Sequence, residues 1–153
     1  MNRINQLKRR FITSRRTSNV TNAQSAIEVR AGDTKGFTIW RIKIELAAAT
    51  ATTLGLGIPA AIGITPTAPV AFTLMQAVGD TVPRDGVTKT ALAWATSPTT
   101  PSTFVERVSL PASIGAAREI FFTDGFYVAK GSSFVVQNLA ANGVLDVTFE
   151  ISE

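Results

Sequence analysis

The chain has no cysteine and no histidine among its 153 residues. The first absence excludes disulfides, zinc–thiolate sites and thiol nucleophiles, and leaves the redox compartment unread. The second removes the commonest general base and the commonest metal ligand together. Tyr and Trp are scarce, at one and two residues, so a recognition surface built on exposed aromatics has little to draw on. A long apolar run is missing as well. The longest uncharged stretch, Leu46 to Gly79, is rich in Thr and Ala and interrupted by Pro59, Pro66 and Pro69, which excludes a transmembrane helix and gives no membrane partner. The basic start is followed by polar residues and lacks the apolar core of a secretory signal. An acid-free start with Arg and Ser also suits an organellar presequence; an arm retained in the protein is the expectation adopted.

Acidic residues are absent from the first 27 positions, where Arg3, Lys8, Arg9, Arg10, Arg15 and Arg16 stand without an anion. From Glu28 onward there are nine cations and eleven carboxylates, so the arm carries +6 and the body −2, summing to the net +4. A short basic arm on a nearly neutral body either grips a polyanion or straps the body onto an acidic protein surface. Residues 1–27 are therefore read as an N-terminal arm and residues 28–153 as one domain of ordinary size. Ile4, Leu7 and Phe11 fall at helical spacing among the cations, and the arm is either a helical turn or two or an extended polar tail. Thr17 to Ser25 reads as a polar linker.

The body has period two. Trp40, Ile42, Ile44 and Leu46 alternate with Arg41, Lys43 and Glu45, and Leu145, Val147, Phe149 and Ile151 alternate with Asp146, Thr148, Glu150 and Ser152. Each pattern predicts a half-buried strand, with Trp40 on the buried side. Shorter candidates cover 53–58, 70–78, 90–95, 104–110, 119–122, 126–129 and 134–138. Turn signals fall between them at Asp85-Gly86, Asp124-Gly125, Lys130-Gly131 and Asn142-Gly143, the last with the strongest hairpin chemistry. Thr, Ala, Val and Ser dominate and no persuasive helix appears, so the expectation is all-β: a single antiparallel jelly roll or β-sandwich of about eight strands.

Candidate chemistry is thin. Gly55-Leu-Gly57-Ile-Pro-Ala60 superficially matches a dinucleotide fingerprint, but that motif needs a helix N-terminus and the prolines leave none, so no cofactor is expected. Asp33, Asp80, Asp85 and Asp124 sit in or beside Gly/Pro turns, where they cap backbone amides. No Asp-x-Asp-x-Asp spacing exists, and no metal site is expected. Ser132 or Ser133 with Lys130 reads as a hairpin turn in preference to a nucleophilic pair. The expectation is a chain that is not an enzyme. The uncharged stretch from Leu46 to Gly79, with its many small residues, is either a patch buried by symmetric self-association or one strand and a long Thr/Pro loop.

The second half carries a resemblance. Ala93-Trp94-Ala-Thr-Ser-Pro98, Arg107-Val-Ser-Leu-Pro111, Ile114-Gly-Ala116, Asp124-Gly-Phe-Tyr-Val128, Gly131-Ser-Ser-Phe-Val135, Gln137-Asn138 and Leu145-Asp-Val-Thr-Phe-Glu150 resemble small tailed-phage head-decoration (cement) proteins. More broadly, a basic arm on a jelly-roll-sized body resembles virion structural proteins. The resemblance spans about the last sixty residues and is a pattern, not a signature. It implies a jelly-roll subunit, commonly trimeric, on the capsid surface with the major capsid protein as partner; it carries over no site residue.

Three functions follow as expectations. The first is a cement protein whose arm docks on a coat subunit or an adjacent trimer. Its charges would be Arg3, Lys8, Arg9, Arg10, Arg15 and Arg16, with Ile4, Leu7 and Phe11 as apolar anchors. The second is a small major coat protein whose arm contacts packaged nucleic acid. The third is a receptor- or glycan-binding sandwich from a tail or fibre. An arm ordered on a specific surface favours the first, because phosphate contacts require no single geometry.

Overall fold

The computed structural model describes residues 10–18, 24–74, 85–140 and 143–153. These contain twelve strands and no helix: β1 (Arg10–Arg16), β2 (Ser25–Arg30), β3 (Phe37–Leu46), β4 (Thr52–Gly57), β5 (Ile64–Pro66), β6 (Val70–Leu74), β7 (Asp85–Ala91), β8 (Trp94–Thr96), β9 (Glu106–Leu110), β10 (Ala117–Val128), β11 (Ser133–Ala140) and β12 (Leu145–Ser152). The chain is all-β and its pairings are antiparallel. Ten strands form one sheet in the order β10-β3-β12-β1-β6-β7-β2-β11-β4-β9, and β5 pairs with β8 in a separate two-stranded sheet.

That order mirrors itself about the β6/β7 junction. Strands equally far from the junction are β1 and β2, β12 and β11, β3 and β4, and β10 and β9. Each of these pairs is consecutive in sequence, so each connection carries the chain from one half of the sheet to the other. Both halves contribute to a single core: Ile42, Ile44, Val147 and Phe149 from one, Ile27, Leu54, Leu56 and Val136 from the other. A ten-stranded sheet that shares one core must fold over on itself, consistent with a β-sandwich.

This topology explains where the turn signals fail. Only β6 and β7 are both consecutive among the ten and paired with each other. Lys130-Gly131 closes no hairpin, because β10 pairs with β3 while β11 pairs with β2 and β4. Gly131 nonetheless has φ 69, as a turn glycine should. The Asn142-Gly143 link likewise leads between unpaired strands, with Asn142 outside the described residues. Asp124-Gly125 lies inside β10, in a bulge where the register on β3 jumps between Phe121 and Phe126. Asp85-Gly86 opens β7.

β3 contains its own correction. Glu150 faces Arg41 and Ile151 faces Ile39, so Trp40 is an extra residue on β3. The bulge inverts the alternation: Phe37 and Ile39 point inward before it, and Ile42, Ile44 and Leu46 after it. Trp40 is therefore half-buried on the outer face, where its Nε1–H donates to Ser152 Oγ at 2.9 Å.

The two halves differ in how they are covered. β3 and β12 alternate between buried and half-buried residues, the mark of one solvated face. β2, β4 and β11 are buried on both faces along most of their length. The second covering layer is irregular chain, residues 58–69 and 92–104, stitched together by β5–β8, by Thr67 N–H to Ala93 O at 2.9 Å and by Thr99 N–H to Ala61 O at 3.1 Å. Gly55 and Gly57 belong to this contact. They lie in β4, not at a helix start, and Cβ atoms there would meet the Phe104 ring at 2.5 Å and Pro101 at 3.1 Å. Gln137, buried on β11, donates through Nε2 to Thr100 Oγ1 at 3.3 Å.

Glu28 pins the cover down. Its side chain is fully buried, yet it accepts from Trp94 Nε1 at 2.6 Å and from the Gly63 amide at 3.1 Å, and pairs with Arg30 at 3.0 Å. Arg30 also donates to the Gly63 carbonyl. One carboxylate thus ties both cover segments to β2. Replacing Glu28 by Ala leaves Arg30 without its counter-ion and two donors unpaired, and should destabilise the fold by roughly 3 kcal/mol. Thermal or denaturant unfolding measures this, and Glu28→Gln, which keeps acceptor and shape, should lose less.

Candidate functional site

The docking residues read from the sequence divide at Arg10. Arg3, Ile4, Leu7, Lys8 and Arg9 lie outside the described residues. Arg10, Phe11, Arg15 and Arg16 lie on β1, an inner strand of the ten-stranded sheet and neither a helical turn nor a free tail. β1 pairs with β12 along its whole length, from Arg10 opposite Ser152 to Arg16 opposite Asp146, and touches β6 at Phe11 and Ile12. β2 begins at Ser25 and runs through the charge break at Glu28 without interruption. The surface that orders the arm from Arg10 to Arg16 is the chain's own sheet.

Alternation along β1 explains each placement. Phe11 faces inward and is 5% exposed, a member of the common core. Burying a phenylalanine contributes roughly 2–3 kcal/mol, which fastens the strand. Arg15 shares that inward parity, and its guanidinium reaches the Thr90 carbonyl at 3.1 Å. Burial pulls its pKa below the ordinary arginine value without discharging it at neutral pH.

Arg10 and Arg16 face outward into a set of paired charges. Arg16 grips Asp146 through two hydrogen bonds of 2.8 and 2.7 Å. Arg10 meets Glu150 at 2.6 Å, Glu150 meets Arg41 at 3.4 Å, and Arg41 meets Glu119 at 3.1 Å. This ladder crosses β1, β12, β3 and β10 in order. The Arg10 guanidinium also stands 4.6 Å from the Trp40 ring centre. Lys43 pairs with Glu45 at 2.8 Å on the same face. Opposite charges on neighbouring strands with outward parity are the sequence signal for such a ladder, but pairing them requires the strand order.

The cover presents the opposite chemistry. The run Leu46 to Gly79 was legible as uncharged; a second run, Thr90 to Val105, also contains no Asp, Glu, Lys or Arg. The fold brings parts of both together, in the cover. Ile58, Ile62 and Ile64 are exposed there, Ile64 at 59%. Among the described residues, the first run follows the strand-and-loop reading: β4 lies in the core, β6 joins the sheet, and the Thr/Pro stretch between them, containing β5, forms a neutral exposed surface. A groove of about 160 Å³ lined by Arg30, Pro66, Pro69, Lys89, Thr90 and Ala91 marks where charge resumes.

Glu153 closes the sheet at the β12 end. Burial pushes its carboxyl pKa up, but the amides of Thr88 (2.6 Å) and Val87 (3.2 Å) and the Lys35 ammonium (3.5 Å) outweigh that and hold it below its ordinary value. The Arg16 hydrogen bond likewise holds Asp146 low, against the effect of burial. A carboxylate whose pKa is depressed by folding contributes stability that is complete above its unfolded pKa and lost as pH falls through the folded one. Denaturation midpoints should therefore be flat near neutrality and decline below about pH 5. Glu153→Gln should lower the midpoint at pH 7, and its deficit should shrink as the wild-type carboxyl is protonated.

No protein-family model, no curated protein and no solved structure matches the chain.

Proposed function

We propose that the protein is a capsid decoration, or cement, protein: a non-catalytic virion component that binds the outer capsid surface as a homo-oligomer and stabilises the shell by clamping neighbouring subunits of the major capsid protein. The observation that carries this reading over the coat-protein alternative is the fate of the described arm cations. Arg10 and Arg16 are paired with Glu150 and Asp146, and Arg15 is committed to Thr90. Three of the six arm cations are thus engaged by the chain itself, which leaves little charge for neutralising packaged nucleic acid. In this reading β1 is the anchor of the strap, and the docking groups are Arg3, Lys8 and Arg9 with Ile4 and Leu7.

The mirrored strand order supports a jelly-roll reading of the body, since wrapped antiparallel pairs are how such folds connect their layers. Clamping requires no chemistry. Each additional contact on the shell makes the next one effectively intramolecular, so weak contacts sum to firm attachment. Binding to the assembled shell alone then raises the shell's apparent stability by mass action. The tail-fibre alternative has less support: Trp40 and Trp94 both donate their indole N–H within the chain, to Ser152 and Glu28.

Deleting residues 1–9 keeps β1 intact and tests the strap. The truncated protein should unfold at an unchanged temperature but no longer co-sediment with genome-free heads. Undiminished binding to heads would end the strap reading. Salt-sensitive binding of the full chain to duplex DNA, with a slope near one per contact, and self-assembly into shells would instead establish the coat protein. Removing residues 1–16 takes β1 out of the sheet and should abolish folding.

A further inference from the structure

We infer that the groove beside Arg30 and Lys89 is a socket for one acidic side chain of the protein on which this chain docks. The inference gives the partner chemistry of the docking proposed above, and rests on that reading for the partner's identity.

Strand register sets the two cations together. Lys89 lies directly opposite Arg30 where β7 pairs with β2, and Ala91 lies opposite Glu28. Alternation puts all four side chains on one face, the face that Glu28 joins to the cover. Like charges directly opposite on neighbouring strands repel and cost stability. Glu28 answers only one of them. Its carboxylate meets Arg30 Nη2 at 3.0 Å and is otherwise taken by the Gly63 amide and the Trp94 indole. Lys89 has no ion pair among the described residues. Arg30 commits Nη2 to Glu28 and to the Gly63 carbonyl, while its buried Nε has no hydrogen-bond partner. Native folds rarely leave such a donor unanswered. The site has one positive charge in excess.

The groove's walls select the form of the anion. Pro66, Pro69 and Ala91 line it with the two cations and Thr90, and none of these residues is acidic. Its volume of about 160 Å³ is below the roughly 300–1,000 Å³ of small-molecule sites. It suits a single side chain. A carboxylate on an aliphatic stem, as in glutamate, can lay its methylenes on the prolines and its oxygens between Arg30 and Lys89. A nucleic-acid backbone instead needs a track of cations, and the adjoining cover, residues 58–69 and 92–104, carries none.

Backbone strain falls on the same walls. Thr65 and Ala68 hold φ of 47° and 45°, the only positive values at non-glycine residues among those described. Each immediately precedes a wall proline, Pro66 or Pro69. A residue before proline favours extended backbone, and a Cβ disfavours the left-handed region, so both positions are doubly strained. Strain of this kind clusters at ligand clamps.

A nuclear magnetic resonance titration of the full chain with acetyl-Gly-Glu-Gly-amide tests the socket. Saturable shifts should centre on the amides of Arg30, Lys89 and Ala91, with a Kd on the order of 1 mM. The same peptide with Gln for Glu should bind at least about tenfold more weakly. Lys89→Glu places a carboxylate opposite Arg30. It should weaken peptide binding at least about tenfold and yet raise the unfolding midpoint by roughly 1–4 °C. Lys130→Glu, the same charge change at an exposed turn, should do neither. Absence of shifts at those amides, equal binding of the two peptides, tighter binding of inorganic phosphate, or loss of binding on Lys130→Glu would each overturn the inference. So would genome-free heads that hold Lys89→Glu as firmly as the unaltered chain. A chain that takes the Glu peptide at this site but ignores heads would keep the socket and fail the cement reading alone.

Discussion

A carboxylate without water must find its charge and hydrogen bonds inside the protein, and the arrangement of the whole second half follows from how Glu28 does so. Its partners come from its own strand and from two distant segments: Arg30, the Gly63 amide and the Trp94 indole. Gly63 must be glycine, because a Cβ there would enter the Trp94 ring. With those contacts made, residues 58–69 and 92–104 have no choice but to lie over β2, β11 and β4. The outer face of that half becomes interior, and the molecule's exterior on that side becomes whatever those loops carry. They carry no charge.

Much of this was legible in the sequence and some was not, for definite reasons. Period-two alternation located β3 and β12, the half-exposed strands, because one solvated face is what generates alternation. β2 reads Ser-Ala-Ile-Glu-Val-Arg with no clean alternation, because it is buried on both sides. β1 was hidden by its charge: Arg10 and Arg16 look like a tail until Glu150 and Asp146 are placed on the adjacent strand. The Trp40 bulge adds a single residue, and a one-residue slip exchanges the two faces of a strand. The turn dipeptides were sound local chemistry serving another topology, since nearly every connection passes between halves instead of reversing a chain onto its neighbour.

The functional consequence of β1 is that composition and architecture divide the chain in different places. By charge the break is at Glu28; by structure the sheet includes the chain from Arg10 onward. From Arg10 onward the basic segment is a strand of the sheet, Arg10 and Arg16 answering carboxylates on β12 while Phe11 locks it to the core. Pull on the residues ahead of Arg10 would act on an inner strand, bonded on both sides. The strap proposed for residues 1–9 would need such an attachment, so that load is borne by the body instead of unravelling it.

The mirrored strand order has one last consequence, for the order of events in time. β12 lies between β3 and β1, and its last paired residue, Ser152, faces Arg10. Until that final strand leaves the ribosome, β1 and β3 have no strand to join them, and the inward residues of both are uncovered. The near absence of local hairpins offers no partial structure to wait in, and folding that depends on distant pairings is slow. Native structure on this side of the sheet therefore waits until β12 has been made and first joins β1 to β3.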